Sequence, residues 1–228
     1  MLLDSVFSWW AGNERMIGLL VEALGQTFTM VFASGFIGFI FGIPLGVILH
    51  LSKESGLLEN RSVNKSVGIV VNIGRSVPFI ILLVAIIPFT RFMVGSSIGT
   101  AAAIVPLTIA AIPFIARLVE GALLEVPSGL VEAAQAMGAK PRQIISKVLL
   151  PEALPGIINA VTITLVTLVG YSAMAGTVGG GGLGDVGIRY GYQRFDGTVM
   201  LITVVILVIF VQIIQSVGDH LVKRVDHR

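Results

Sequence analysis

The chain has 228 residues, of which 55% are hydrophobic and only 12% charged, with a formal net charge of +2. Soluble domains carry about 25% charged residues, so a disordered chain, a coiled coil and almost any soluble enzyme of this size are excluded, and the chain is expected in a membrane. Mean hydropathy is +0.94, no Lys/Arg run marks a nucleic-acid surface, and the lack of cysteine removes disulfides, thiol catalysis and Cys-ligated metal sites.

The start, Met1-Leu2-Leu3-Asp4, has no basic n-region and no A-x-A cleavage site, so no removable signal peptide is expected. Residues 1–22 are expected to form an extracytoplasmic N-terminal segment. A membrane helix needs about 20 mostly apolar residues. Intervals 23–52, 92–116, 153–184 and 197–218 contain no Asp, Glu, Lys or Arg, and a fifth apolar region, 66–90, is interrupted only by Arg75. These predict an all-α fold of five spans at about 24–50, 67–89, 98–116, 154–175 and 198–217 within a membrane domain 23–218, followed by a cytoplasmic tail 219–228. The glycine-rich half of 153–184 reads as a loop.

In the first span Ser34, Gly38, Gly42 and Gly46 recur every four residues. That spacing lays a small-residue stripe on one helix face, which lets backbones approach closely in lipid. In the second, Asn72, Arg75 and Ser76 share one polar patch by i, i+3, i+4 spacing. A charge inside a span costs about 2.5–3.5 kcal/mol on insertion scales, so Arg75 needs either a polar partner along a pathway or an escape to the surface. In the fourth span Thr164, Thr167, Tyr171 and Met174 fall on one face, a mildly polar wall suited to a solute pathway. The competing reading has Thr hydroxyls bonding back to helix carbonyls and Met filling space.

Orientation follows the positive-inside rule. One set of connections (the N-terminus, 90–97 and 176–197) carries Arg15, Arg91, Arg189 and Arg194. The other (51–66, 117–153 and the C-terminus) carries Lys53, Arg61, Lys65, Arg117, Lys140, Arg142, Lys147, Lys223, Arg224 and Arg228. The second set is therefore expected in the cytoplasm, with the N-terminus outside.

The long segment 117–153 is itself patterned. Pro127-Ser128-Gly129 opens a helix, with Ser128 as N-cap. Leu130, Val131, Ala134 and Met137 form a short apolar face, and Gly138 stops the helix at C′. Pro141 starts a second helix that runs to Pro151. An exposed helix with an apolar face needs cover, from its own bundle or from a partner.

Glu132-Ala133-Ala134, Gly138 after three residues, and Val148-Leu149-Leu150-Pro151 after nine more resemble the EAA signature, E-A-A-x3-G-x9-I-x-L-P, of permease subunits of bacterial ABC importers. Val148 replaces the usual Ile. Asn72-Ile73-Gly74-Arg75-Ser76-Val77-Pro78-Phe79-Ile80, Ile87-Pro88-Phe89-Thr90-Arg91, Leu149-Leu150-Pro151-Glu152-Ala153-Leu154-Pro155-Gly156 and Gly170-Tyr171-Ser172-Ala173-Met174 are similar to the methionine-importer branch of that family. The likeness covers about residues 24–220.

The resemblance implies a type I importer permease in the bacterial inner membrane that moves methionine by alternating access. It also implies a homodimer with two cytoplasmic ATPase subunits and an extracytoplasmic substrate-binding protein. ATP and Mg would sit on the ATPase, leaving this chain non-enzymatic and without a cofactor of its own. The helix of Glu132, Ala133, Ala134, Met137 and Gly138, with Leu150 and Pro151 behind it, would be the ATPase-coupling element. Glu132 would cap or ion-pair with the ATPase groove. Met174 would lie near the central gate, beside Tyr171, Thr167 and Thr164, with Asn72, Arg75 and Ser76 as further pathway residues. Gly181, Gly182, Asp185 and Tyr190, on the outer surface, would meet the binding protein.

Other chemistries fit less well. Gly179-Gly180-Gly181-Gly182-Leu183-Gly184 satisfies G-x-G-x-x-G but follows no strand and opens no dinucleotide fold. His50, His220 and His227 sit at span ends and in the tail without ligand spacing, so no metal site is expected. An intramembrane serine protease would need a base beside Ser172. A proton- or sodium-coupled carrier would ordinarily use an intramembrane Asp or Glu, and neither feature appears. Another small amino acid or related solute remains the alternative cargo.

Overall fold

The computed structural model describes residues 14–226; the expectation for residues 1–13 lies outside them. The described chain is helical: α1 Glu14–Ser52, α2 Arg61–Ser76, α3 Phe79–Ala85, α4 Ile87–Val94, α5 Thr100–Leu124, α6 Ser128–Ala136, α7 Pro141–Ile144, α8 Leu150–Ala175, α9 Gly182–Val186 and α10 Gly197–Val225. Among the described residues four helices are long and apolar enough to cross a membrane, Glu14–Ser52, Thr100–Leu124, Pro141–Gly180 and Gly197–Val225. A fifth span exists only if α2 and α3 are one broken crossing.

That break corrects the single helix expected over 67–89. Pro78 has no N–H and disfavours helical backbone at the residue before it. Val77 accordingly adopts φ −82°, ψ 122°, and the helix stops there. The other spans run longer than their apolar windows. Residues 14–22, expected outside the first span, already belong to α1; residues 117–124 complete α5; and α10 continues into the expected tail as far as Val225.

The second half of 117–153 also differs from expectation. The helix that starts at Pro141 does not end at Pro151 but continues to Ala175 through a wide turn at Ile145–Leu149. There the Leu150 N–H bonds to the Ile145 carbonyl, five residues back. A proline ring presses on the carbonyl four residues earlier; one widened π-type turn just before Pro151 relieves that clash and lets the helix pass.

Among the described residues, 14–34, 79–107 and 167–213 form one compact unit; 35–78, 108–166 and 214–226 form another. In the first, Leu20 and Ala23 of α1 pack with Leu183 and Val186 of α9 and Val199 and Ile202 of α10. Asp196 caps α10 through its carboxylate, which accepts from Thr198 N (3.0 Å) and Val199 N (3.1 Å).

In the second unit the glycine stripe does what its spacing predicts. A Cβ on Gly42 would lie 2.7 Å from Ile115 Cβ, and one on Gly46 2.6 Å from the Ala116 carbonyl oxygen. The α1 and α5 backbones are in van der Waals contact along this seam, the form helix association takes where lipid removes the hydrophobic drive. Leu49, Val71 and Ala116 form a further core. Asn64 of α2 donates to the Leu49 carbonyl (2.8 Å), satisfying one of the orphan acceptors at the end of α1.

Candidate functional site

Helix α6 carries the first group of candidate residues. Its N-cap is Pro127, with no side-chain cap bond, so Ser128 is the first helical residue rather than the expected cap. Its C-terminus is as expected. Gly138 has φ +77°, the left-handed conformation open to glycine at little cost. The Gly138 N–H bonds to Gln135 O and the Ala139 N–H to Ala134 O, the paired bonds of a Schellman cap. Just beyond, Gln143 Oε1 accepts from Lys140 N at 2.8 Å and pins the start of α7.

The apolar residues of α6 do not form one face. Ala134 is 4% exposed and Val131 half-buried, turned toward their own chain, whereas Met137 is 82% and Leu130 42% exposed. Ala133 is exposed too, and positions 130, 133 and 137 share a helix face by their spacing. Thus the helix is anchored by one stripe and presents another. Glu132 is exposed and borders a cavity of about 460 Å³ that His50, Lys53, Ser128, Gln135 and Leu149 also line. Of the pair behind the helix, Leu150 is half-buried and Pro151 exposed.

The Asn72 patch is tied to a residue that sequence reasoning had put in a loop. Arg117, on α5, donates to Asn72 Oδ1 at 2.6 Å and pairs with Glu120 one turn on. Ser76 donates to the Asn72 carbonyl (2.8 Å). Arg75 is exposed in the last turn of α2, where a cation complements the helix dipole. All three residues are exposed.

On α8, Thr164 is buried and its hydroxyl donates to the Ala160 carbonyl (2.7 Å). It follows the back-bonding reading and is withdrawn from an open wall. Tyr171 stacks on Phe79, ring centroids 4.5 Å apart and planes 2° from parallel. Met174 is 46% exposed on an almost wholly apolar groove of about 380 Å³, shared with Gly170, Thr177, Met200, Thr203 and Leu207. Thr167 is half-buried.

The glycine-rich stretch is not the loop that its composition suggests. It folds as a kink at Gly176–Gly180, where Val178 (φ −112°, ψ 23°) and Gly179 (φ 90°, ψ 16°) leave helical backbone, then the short helix α9 and a wide helical turn Gly187–Tyr192. Gly182, expected on the surface, is buried. It has φ +78°, and a Cβ there would lie 2.7 Å from both Thr27 Oγ1 and Met30 Cε. The first N–H groups of α9 bond back to α1: Gly182 N to Gln26 Oε1 at 2.7 Å and Leu183 N to Thr27 Oγ1 at 2.9 Å. Sequence reasoning missed Gln26 and Thr27; the signal was two adjacent polar residues at the head of an otherwise apolar run.

Gly181, Asp185 and Tyr190 do border a crevice of about 260 Å³ with Glu22 and Arg189. There Asp185 pairs with Arg189 at 2.7 Å, and Arg194 lies over the Tyr190 ring at 4.5 Å. Among the described residues no group of three or more His, Asp or Glu is arranged to hold a metal ion.

These elements define a class: a polytopic, all-helical membrane component that holds one short helix outside its apolar spans. Residues 42–227 match the family described as "Binding-protein-dependent transport system inner membrane component", and the chain belongs to that family, with the fold of a type I ABC importer permease. It is 67% identical, over the full length of both chains, to a Vibrio cholerae protein named "Probable D-methionine transport system permease protein MetI". It is 60% identical over 164 residues (72% of this chain, 76% of the relative) to the Escherichia coli D-methionine transport system permease protein MetI. A chain of a solved structure described as inward-facing conformations of the MetNI methionine ABC transporter superposes with TM-score 0.92 at 57% identity, covering 94% of this chain and 99% of that one.

Proposed function

We propose that this chain is the membrane-spanning subunit of an ATP-driven importer that carries methionine across the inner membrane by alternating access. It works as a homodimer with one ATPase subunit beneath each copy and a substrate-binding protein on the outer side. ATP and Mg belong to the ATPase, and this chain performs no chemistry of its own. Its relatives' names and the MetNI structure support the cargo and the assembly; the positive-inside distribution supports an external N-terminus.

The observation that carries the mechanism is α6: a capped helix that buries Ala134 and presents Leu130, Ala133 and Met137. An exposed apolar strip of this kind is expected to be covered, and Glu132 beside it offers a carboxylate to a cationic partner. Rigid-body movement of the ATPase would pass through this helix into the spans. Met174 and Tyr171 are then gate and pathway residues, and Gly181, Asp185 and Tyr190 are the binding-protein contacts.

Uptake of labelled methionine into proteoliposomes holding this chain, its ATPase and its binding protein tests the reading. Transport should need all three proteins and ATP, and methionine enantiomers should compete best. ATP-independent uptake would refute the mechanism; preferential uptake of another amino acid would refute the cargo.

A further inference from the structure

Phe79 is the first residue of α3, directly after the Val77-Pro78 break. Its side chain is buried, and its ring lies flat on that of Tyr171. Tyr171 stands one helical turn before Met174, so the face that carries both is fixed where the rings meet. Offset or parallel ring pairs add attraction beyond the area they bury, and flat rings resist sliding apart more specifically than aliphatic chains do. Because Pro78 removes the hydrogen bond that would otherwise lock α3 in line with α2, a tertiary contact must set where α3 begins.

Resting on the transport reading above, we infer that Phe79 is a positioning residue. Through its stack on Tyr171 it holds the turn of α8 that presents Met174 to the cargo. Nothing in this role requires Phe79 to touch methionine.

The test uses the complete transporter in proteoliposomes, with Phe79→Leu, Tyr171→Leu, the double variant, and the ring-preserving Phe79→Tyr. Each is read for thermal stability of the complex, methionine taken up per ATP hydrolysed, and ATP-independent methionine leak. The leucine variants should lower uptake per ATP by about fivefold, on the scale of one ring pair, and raise leak. The double variant should be no worse than either single one, and Phe79→Tyr should match wild type. If a leucine variant fails to assemble, the comparison moves to Phe79→Tyr against Phe79→His, where reduced coupling in the histidine variant alone supports the role. Stability loss with unchanged uptake per ATP and unchanged leak would overturn it, as would a double variant whose defects add. Failure of the transport reading would appear separately, as wild-type complex that does not import methionine.

Discussion

Helix α6 and the segment Gly176–Tyr192 are both short, both flanked by long apolar helices, and both conspicuous in the sequence. They use their residues in opposite ways. In α6 the distinctive residues face outward: Met137, Leu130, Ala133 and Glu132 are exposed, while the Schellman cap and buried Ala134 help hold the helix in place. In Gly176–Tyr192 the distinctive glycines Gly176, Gly180, Gly182, Gly187 and Gly191 are buried. A Cβ on Gly184 would lie 2.3 Å from the Ala173 carbonyl oxygen, and one on Gly176 2.5 Å from Asp185 N. The first region is an exposed surface that we propose another molecule covers; in the second, glycines pack backbone on backbone and leave Gly181, Asp185 and Tyr190 lining a crevice. A sequence motif can therefore mark either a contact or the absence of room for one.

The contrast can be broken most forcefully at Gly184. Gly184→Val places atoms into the α8 backbone, where no side chain can move aside; a cost of about 3 kcal/mol or more is expected. Expression with size-exclusion chromatography should show aggregated or absent protein, and a monodisperse, stable variant would contradict the packing role. Next comes the α1–α5 seam. In Gly42→Val the Cβ meets Ile115 Cβ at 2.7 Å and the Ile112 carbonyl oxygen at 2.9 Å, so about 2 kcal/mol and a Tm lower by about 5 °C are expected. Gly138→Ala forces a left-handed conformation on an L-residue with no clash around it, a cost of about 1 kcal/mol. It should fray α6 and weaken ATPase binding about fivefold, while the Tm of the membrane bundle holds. The smallest effect on the fold is Glu132→Lys: unchanged Tm, with the ATPase lost or uncoupled in pull-down and ATPase assays. A normal complex and normal transport in that variant would remove Glu132 from the interface.

How much of this was legible beforehand depends on whether the signal was periodic or tertiary. Ser34, Gly38, Gly42 and Gly46 announced a seam because a four-residue spacing maps directly onto a helix face, and the structure supplies the opposing Ile115 and Ala116. Gly138 was readable because a helix stop has a local chemical cause. Hydropathy windows marked where apolar helices run but could not see that Pro78 divides one or that a wide turn carries another past Pro151, since both turn on backbone hydrogen bonds rather than side-chain polarity. The Gly176–Tyr192 fold was hidden for a different reason: it depends on Gln26 and Thr27, about 156 residues away in the chain. Thr164 shows the same limit. Its face was right by spacing, but its hydroxyl was already committed to Ala160.

The most direct test of the central contrast is hydrogen–deuterium exchange on the purified chain with and without its ATPase. Slowed exchange confined to residues 128–138, with 176–192 protected equally in both states, is the predicted result. No change in 128–138 within an assembled complex, or new protection in 176–192, would contradict it.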